Sequence, residues 1–262
     1  MADDSRNILK AISKFPTVTL EEMDKVRLMN RIDTKYIFPA NHVITLLENA
    51  SDNYRVLSIN DQQIFRYKSL YFDTPVHKTY FDHHNGIRPR YKVRFREYED
   101  TGSIFLEVKR KLTTERTRKS RIKAEGIEHE LSEKSKAFIA EGSPLDPGDL
   151  SPSLWTIFRR ITLVGKGKPE RITIDIDLSF RHQEEEKTLP FLGICEVKRD
   201  QSGGMTEFMR ILKSQKIYPG SSSKYCLGSI LLNDPIKYNR FKPYILKIKK
   251  IENVYRPYTA AS

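Results

Sequence analysis

RPRYKVRFREYEDTGSIFLEVKRK, the stretch from residue 88 to residue 111, decides the fold, because it has the pattern of two β-strands joined by a short acidic turn. In the first strand Lys92, Arg94 and Arg96 occupy alternate positions and therefore share one face of a sheet. Aromatic and aliphatic side chains occupy the positions between them. This alternation is typical of a strand with its apolar face on a core, but here the opposite face is entirely cationic.

The second strand of the predicted hairpin repeats the pattern. Glu107, Lys109 and Lys111 share one face, and three aliphatic side chains share the other. Like charges at neighbouring positions of a sheet repel one another. A sheet face that carries such a row of cations is therefore expected to face a polyanion.

Composition narrows the class of protein. The 262 residues suffice for one large domain, and the net charge of +12 indicates an anionic partner. The two cysteines, Cys195 and Cys226, lie in apolar runs typical of strands, without metal-ligand spacing, which predicts a reduced intracellular protein. The sequence has neither a signal-peptide pattern nor an apolar run of about 20 residues, so we expect a soluble protein.

Strand patterns recur along the chain and predict the rest of the sheet. Alternating or apolar runs occupy 31–38, 54–59, 65–72, 116–123, 154–163, 171–180 and 193–199. Short helices are predicted at about 20–29, 41–51, 78–84, 131–139 and 205–215. We interpret 1–18 as a polar lead-in, and we assign no element to the basic, aromatic tail that begins at Pro235. Strands outnumber helices and do not alternate with them, so we predict a single α+β domain over 1–262, a mainly antiparallel barrel of about eight strands with short helices outside.

The polar faces of these strands predict one shared interior. Its candidate lining residues are basic: Lys35, Lys92, Arg94, Arg96, Lys109, Lys111, Lys119, Arg121, Arg160, Arg171, Lys198 and Lys224. Buried cations without partners are costly, so such an interior is stable only if it is wet and holds an anion. Arginine offers phosphate oxygens a planar fork, and lysine offers them a mobile point charge. The pattern therefore indicates a tunnel that binds phosphate groups.

Few carboxylates accompany these cations on the predicted interior faces: Asp33, Glu107, Asp175, Asp177 and Glu196. Carboxylate oxygens suit Mg²⁺ or Mn²⁺, which commonly take one or two carboxylates and complete their shell with substrate phosphates. Phosphoryl transfer requires little beyond positioning, charge neutralisation and a metal. The alternative for Glu107 and Glu196 is that each only neutralises the lysines beside it.

Other kinds of site have less support. The sequence contains no Walker A, GxGxxG, HExxH, GxSxG or paired-cysteine zinc motif. His83 and His84 precede a turn pattern, and we do not expect them to act as ligands. Nucleic-acid binding by an open basic sheet requires stacking aromatics on the cationic face. In the hairpin Tyr91 and Phe95 are predicted to point to the other face, which weakens that hypothesis.

Several short motifs together resemble a known family. They are YFDTP at 71–75, the segment 80–86, RYKVRFR at 90–96, FLEVK at 105–109, RITID at 171–175, CEVK at 195–198 and SKYCLG at 223–228. The set, which spans roughly 20–232, resembles the VTC domain, the polyphosphate polymerase domain of the vacuolar transporter chaperone complex. That domain belongs to the CYTH, or triphosphate tunnel metalloenzyme, superfamily.

The resemblance implies a basic β-barrel tunnel, open at both ends, that transfers the terminal phosphate of ATP to a growing polyphosphate chain with Mn²⁺ or Mg²⁺. By motif position it implies catalytic roles for Arg94, Arg96, Lys109 and Lys198, and it makes Glu196 the metal ligand, with Glu107 as a second candidate. The remaining cations are implied to bind substrate phosphate: Lys35, Lys92, Lys111, Lys119, Arg121, Arg160, Arg171 and Lys224.

The chain also departs from the superfamily pattern. The usual Glu-x-Glu-x-Lys of the first strand is replaced by Arg31-x-Asp33-x-Lys35, which leaves fewer carboxylates for a metal. Without the SPX domain and membrane helices of the eukaryotic complex, the chain is expected to be a stand-alone bacterial form. We expect it in the cytoplasm or at the inner face of the membrane with a membrane protein partner, and we expect no nucleic acid. Two alternatives stay open: a triphosphate phosphohydrolase of the same fold, and a non-catalytic module that binds polyphosphate or another polyanion.

Overall fold

The computed structural model describes residues 2–25, 31–113, 117–167, 169–201, 203–221, 223–233 and 236–255. The strands are β1 (Thr17–Val18), β2 (Arg31–Pro39), β3 (Tyr54–Leu57), β4 (Ile64–Asp73), β5 (Arg90–Tyr98), β6 (Ser103–Lys111), β7 (Thr117–Ala124), β8 (Ser151–Gly165), β9 (Glu170–His182), β10 (Glu185–Leu189) and β11 (Leu192–Asp200). The helices are α1 (Ala2–Ile12), α2 (Leu20–Lys25), α3 (His42–Ala50), α4 (Lys78–His84), α5 (Glu133–Gly142), α6 (Glu207–Ser214), α7 (Lys224–Leu232) and α8 (Lys242–Val254). Short 3-10 turns occupy Glu99–Thr101, Pro147–Asp149 and Asn239–Phe241.

One sheet organises the molecule. Its path of hydrogen-bonded strands runs β2, β11, β9, β8, β4, β5, β6, β7, and each neighbouring pair on this path is antiparallel. Off this path, β10 pairs with β9, β3 pairs with β8, and β1 pairs with β3 in parallel. The predicted α+β fold around a mainly antiparallel sheet is confirmed. The sheet is not closed, because in the described residues no ladder joins β2 to β7.

The sheet nevertheless curls around an interior. Neighbouring strands lie about 4.8 Å apart, so a flat sheet would separate β2 from β6, the first and seventh strands of the path, by about 29 Å. Gly220 nevertheless donates its backbone N–H to the carbonyl of Lys35 on β2, and Ser223, three residues later, accepts a hydrogen bond from Lys92 on β5, the neighbour of β6. Three residues span at most about 11 Å. The two ends of the path therefore face each other across a lumen, as expected for a tunnel-like fold.

Apolar cores cover the outer face of the sheet. Helices α1, α3 and α6 pack on β8 and β9, where Ile161, Ile172 and Ile174 are completely buried. Helix α5 covers the hairpin, whose Val93 and Phe95 are also completely buried. This burial confirms the predicted apolar face of the hairpin and directs its cations to the lumen.

A third core lies on the inner face. Helix α7 approaches the sheet so closely that a Cβ on Gly228 would lie 2.5 Å from the ring of Phe180 and 2.6 Å from Leu154. Only glycine fits at that position. Tyr225 of the same helix stacks on Tyr71 of β4, with ring centroids 5.0 Å apart. This apolar packing occupies part of the inner face and leaves the remainder to polar side chains.

Two terminal segments differ from their prediction. The lead-in predicted over 1–18 is not without structure, because Ile8 and Ile12 of α1 bury against α3 and strand β1 follows. The basic tail, to which the pattern assigned no element, forms α8, whose Ile248 and Ile251 enter the inner core. In each helix the buried residues lie at helical spacing but within a single turn, Ile8 to Ile12 in α1 and Ile248 to Ile251 in α8, so the apolar pattern is short. No helix in the described ranges has the length and apolar character needed to cross a membrane.

Smaller differences concern three other elements. Strand β10 has no predicted counterpart, since its residues are mostly exposed and polar and show no apolar alternation. Cys226 lies in α7 and not in a strand, whereas Cys195 lies in β11 as predicted. Two expected residue ranges, 26–29 at the end of the first helix and Arg116 at the start of β7, fall outside the described residues.

The helix starts follow local capping chemistry. Thr19 and Glu22 form a capping box, with reciprocal backbone-to-side-chain hydrogen bonds of 3.2 and 2.9 Å. Ser132 caps α5 by accepting a hydrogen bond of 3.3 Å from the backbone of Ser135. Asn41 precedes α3, but its side chain makes no cap hydrogen bond.

Strand β9 departs from the strict alternation predicted over 171–180. Asp177 has a positive φ of 51°, at the place where the register between β8 and β9 shifts. Side chains beyond this bulge exchange faces, so Phe180 joins the inner core. Asp177 itself pairs with Arg159, whose neighbour Arg160 points into the lumen. The prediction that Asp177 lies on the interior face is wrong.

Candidate active site

Strand register brings the predicted basic residues to the two sides of the lumen. We call the inner face of β5, β6 and β7 the hairpin wall, with polar residues Lys92, Arg94, Arg96, Glu107, Lys109, Lys111, Lys119 and Arg121. We call the inner face of β2, β11, β9 and β8 the mixed wall, with charged residues Asp33, Lys35, Arg160, Arg171, Asp175, Glu196 and Lys198. Lys224 of α7 reaches Asp175 on the mixed wall. The fold therefore places the predicted cations on the inner face of the sheet, around one lumen.

Glu107 is the central anion of the hairpin wall. Its Oε2 accepts hydrogen bonds from Nε and Nη2 of Arg94 at 2.8 and 2.7 Å, and the ammonium of Lys119 pairs with Oε1. The third nitrogen of Arg94 donates to the hydroxyl of Tyr71 at 2.7 Å. Burial alone would raise the pKa of Glu107, but Arg94, Arg96 and Lys119 lower it to about 2. The carboxylate is 1% exposed and already holds a cation on each oxygen.

Arg96 has a different environment on the same wall. Its side chain is buried, Nε donates to Ser69 Oγ at 3.1 Å, and the guanidinium lies 5.4 Å from the ring of Tyr67 and 5.9 Å from that of Phe158. Burial, together with the charge of Arg94, lowers its pKa. Within the described part of the chain no carboxylate lies within 4 Å of Arg96. A bound anion would provide the charge that Arg96 lacks.

Lys92 is held by neutral partners at the α4 and α7 side of the lumen. Its ammonium lies 2.9 Å from both His83 Nδ1 and Ser223 Oγ, and 3.5 Å from Cys226 Sγ. It also lies 4.9 Å from the ring centroid of Tyr225. Burial and the charge of Lys92 lower the pKa of His83, so that imidazole stays neutral and can accept a hydrogen bond from the lysine.

Lys109 is open to solvent in the lumen but is surrounded by protein walls. Loss of hydration between these walls and the neighbouring charge of Lys35 lower the pKa of Lys109 to about 7, although the charge of Glu196 raises it. A lysine with such a pKa is only partly protonated near neutral pH. Its full charge would return when an anion is bound beside it.

The mixed wall alternates acids and bases. The ammonium of Lys198 lies between two carboxylates, 2.5 Å from Glu196 Oε2 and 3.1 Å from Asp33 Oδ2. Lys35 lies directly opposite Glu196 on the neighbouring strand. Burial would raise the pKa of Glu196, but Lys198 and Lys35 lower it well below its usual range. Because 21% of the Glu196 side chain stays exposed, its carboxylate is more accessible than that of Glu107.

Asp175 anchors the other end of the mixed wall. It accepts hydrogen bonds from Nε and Nη2 of Arg160 at 2.5 and 2.8 Å, and Lys224 pairs with the same carboxylate. Against the effect of burial, these two cations lower the pKa of Asp175 to about 2. The guanidinium of Arg160 and the ammonium of Lys224 lie 5.2 and 4.4 Å from the ring of Phe158. The ring of Phe158 thus packs against both cations and helps to fix their positions.

The remaining predicted residues lie towards the rims. Arg121 is exposed and stacks over Phe105 at 4.7 Å, and Lys111 lies opposite Arg90. Arg171 lies opposite Lys198 on the neighbouring strand. The catalytic, phosphate-binding and metal roles assigned to all these residues stay predictions.

Several residues of the site were missed. Tyr67 and Tyr71 lie four positions apart on the same face of β4, under the arginines, a spacing that was visible in the sequence. Asp73 of the YFDTP motif is buried and accepts hydrogen bonds from Thr79 and Tyr225, which attaches α4 and α7 to the sheet. His83 was placed before a turn and was not expected to act as a ligand, and its contact with Lys92 depends on tertiary packing that no local pattern indicates.

Metal ligation was tested on the carboxylates of the lumen. The described residues contain no group of three or more His, Cys, Asp or Glu side chains that could hold a metal ion. Glu107 fits poorly, because Arg94 and Lys119 already occupy its oxygens. Glu196 fits the limited role of a partly exposed carboxylate that shares a metal ion with substrate phosphates.

A family model described as the VTC domain matches residues 30–233 of the 262. No curated protein matches the chain. The fold is also similar to solved structures. A Hippeastrum protein described as a "putative adenylyl cyclase" with a dominant triphosphatase activity has 13% identity and a TM-score of 0.47, over 80% of this chain and all of its own. A "putative adenylate cyclase" from Vibrio parahaemolyticus has 12% identity and a TM-score of 0.44, over 77% of this chain and 99% of its own.

Proposed function

Because the chain belongs to the VTC domain family, we propose that it is a metal-dependent polyphosphate polymerase, which transfers the terminal phosphate of ATP to a growing polyphosphate chain. The substrates would bind in the lumen, between the hairpin wall and the mixed wall. ATP and inorganic polyphosphate would be its ligands.

The observation that carries the proposal is the charge imbalance of the hairpin wall. Arg96 and Lys92 have no carboxylate within 4 Å in the described residues, and Glu107 is already committed to Arg94 and Lys119. Buried like charges are tolerated when a ligand of opposite charge completes the site. A linear chain of phosphates matches this requirement better than a single small anion does, because the cations extend along β5.

In this proposal the arginines do the positioning. Arg94, fixed by Glu107 and Tyr71, would direct its two remaining N–H groups at the substrate, and Arg96 would contact the phosphate being transferred. The bond from the terminal phosphorus of ATP to the ADP oxygen breaks as an oxygen at the end of the polyphosphate chain forms a new bond to phosphorus. The role of the cations is to neutralise charge on the oxygens around that phosphorus.

Glu196 is the proposed protein ligand for Mn²⁺ or Mg²⁺, with Asp33 nearby through their shared contact with Lys198. When bound, the ion would neutralise phosphate charge and orient the triphosphate. Lys198 lies 2.5 Å from the same carboxylate and keeps it anionic. Lys35, opposite Glu196, adds to the same effect.

Incubation with ATP and Mn²⁺, followed by gel analysis of the products, tests the proposal. Long polyphosphate chains together with ADP are the expected result. Orthophosphate alone would instead assign the protein as a triphosphate phosphohydrolase, and tight binding without turnover would assign it as a polyanion-binding module. Either result would overturn the polymerase assignment.

The metal assignment has a separate test. Glu196→Gln should reduce turnover by at least about 100-fold, while tripolyphosphate binding in the absence of metal stays within about threefold of wild type. Glu133→Gln, on an exposed surface of α5, is the matched control and should leave turnover unchanged. Full activity of Glu196→Gln would remove Glu196 from the metal site.

A further inference from the structure

A cavity of about 510 Å³ lies beside the lumen, between α4, the start of β5 and α8. We call it the mouth cavity; its charged and histidine lining is His83, His84, Arg88, Arg90, Arg240 and Lys247. No carboxylate belongs to its lining in the described residues. Two of its cations, Arg240 and Lys247, come from the C-terminal segment, which lies beyond the matched region 30–233.

The mouth cavity borders the lumen directly. Arg90 lies two residues before Lys92 on the same face of β5, so the basic row of the hairpin wall continues into the cavity. His83, which lines the cavity, lies 2.9 Å from the ammonium of Lys92. On the opposite side, the backbone N–H of Gly220 donates to the carbonyl of Lys35 at 2.8 Å.

The C-terminal lining is held in place before any ligand binds. Nη1 of Arg240 donates to the carbonyl of Asn85 at 2.6 Å, and its backbone N–H donates to Nε2 of His84 at 3.4 Å. The ring of Phe241 packs edge-on against His83 and His84, with centroids 5.7 and 5.6 Å away. The cations of the lining, Arg90, Arg240 and Lys247 among them, make phosphate oxygens suitable ligands for the cavity.

Two cations of the mouth cavity, Arg90 and Lys247, are half-buried. Burial, with the charge of Arg88 beside it, lowers the pKa of Arg90, and burial lowers the pKa of Lys247. Cations collected in a concave site raise the local concentration of anions and stabilise a multiply charged ligand.

We propose that the mouth cavity is a second anion-binding site, which holds the part of a linear polyphosphate that extends beyond the lumen. This inference rests on the proposed function. Arg240 and Lys247 bind non-bridging phosphate oxygens there. Arg96 and Arg90 lie six residues, or about 20 Å, apart along β5, so a triphosphate bound at Arg96 is too short to engage the mouth cavity as well. The C-terminal segment therefore makes the protein selective for long phosphate chains.

The experiment compares two ligands, tripolyphosphate and a long linear polyphosphate, by calorimetry at one fixed ionic strength. The full-length variant with Arg240→Gln and Lys247→Gln should lose at least about tenfold in affinity for the long chain, since it removes two charge-assisted contacts. Its affinity for tripolyphosphate should stay within about twofold of wild type. The control variant changes Lys249 and Lys250, both exposed on α8, to glutamine, and it should bind both ligands normally.

The other outcomes overturn the inference in different ways. Equal losses for both ligands, or an equal loss in the control variant, would mean that the cations act only through net charge. An unchanged long-chain affinity in a protein whose Arg96→Gln variant loses both ligands would remove the mouth cavity and leave the proposed function intact. If wild type bound neither ligand, both the cavity and the proposed function would fail. Lys247→Gln alone, which breaks no described hydrogen bond, repeats the test with an expected loss of about threefold if the double variant does not fold.

Discussion

The two walls of the lumen carry charge in different ways. On the mixed wall each carboxylate contacts cations of the same wall or of α7, as Lys198 does between Glu196 and Asp33. On the hairpin wall Glu107 is the one carboxylate that the described inner face provides, and several cations depend on it. Among the described residues, the mixed wall thus has three carboxylates for four cations, whereas the hairpin wall has one carboxylate for seven cations. The excess charge that a polyanion would neutralise therefore lies mainly on the hairpin wall.

The carboxylates themselves differ in the same sense. Glu107 and Asp175 are almost completely buried and hold two cations each, which is the arrangement of a structural ion cluster. Glu196 keeps a fifth of its side chain exposed. We therefore expect the first two carboxylates to stabilise the fold and the third to serve the substrate.

The largest expected effect on stability comes from removing the charge of a structural carboxylate. Glu107→Gln should lower the free energy of unfolding by about 3–5 kcal/mol, because it leaves the largely buried Arg94 without its carboxylate and also removes the ion pair with Lys119. Glu196→Gln should lower it by a smaller amount, because a fifth of that side chain is solvated and Lys198 keeps Asp33 as a second partner. Urea unfolding of both variants measures the difference. Equal losses would remove the distinction between a structural and a functional carboxylate.

The second effect concerns Arg96, the buried arginine without a carboxylate. Arg96→Gln should weaken tripolyphosphate binding by about tenfold or more, since one charge-assisted contact is lost. The same change should leave the free protein as stable as wild type, or more stable by up to about 1 kcal/mol, because a buried charge is removed. Thermal unfolding with and without tripolyphosphate measures both quantities.

The control for Arg96 is Arg210→Gln, an exposed arginine of α6 that pairs with Glu207. It should alter neither stability nor ligand binding measurably. A loss of stability in Arg96→Gln without loss of binding would show that the hairpin wall is complete without a ligand.

The hairpin was the most predictable part of the molecule. Its side chains alternate at a period of two, which fixes the apolar and cationic faces without reference to any other element. The same rule failed at β9, because the positive φ of Asp177 exchanges faces within one strand and leaves no mark on the alternation. Local pattern therefore predicts faces only as far as the next bulge.

The candidate site was predictable in its residue types and not in its pairings. The sequence indicated which cations share the lumen. Glu107 and Glu196, however, each begin a Glu-Val-Lys tripeptide, and both were assigned to a metal. What separates them is the distance to Arg94 and Lys119, which only the folded sheet defines. The contact of His83 with Lys92 was missed for the same reason, since α4 meets β5 only through tertiary packing.

The smallest predicted effect is a dependence on pH at Lys109. Its pKa falls from 10.5 in the ordinary lysine to about 7 in the folded protein. Between these values the unfolded chain binds more protons than the folded one, so the free energy of unfolding contributed by this group rises as pH rises from about 7 to 10.5. Lys109→Gln should remove that rise, whereas Lys134→Gln, exposed on α5, should preserve it.

Because of Lys109, ligand binding at the hairpin wall should also be coupled to proton uptake. An anion beside Lys109 favours its charged form, so tripolyphosphate binding at pH 8 should take up protons from the buffer. Calorimetry in two buffers of different ionisation enthalpy measures this uptake, which should be a fraction of one proton and should disappear in Lys109→Gln. Proton uptake that is the same in Lys109→Gln and in wild type would locate the titrating group elsewhere, and the ligand charge would then be matched by the fixed cations alone.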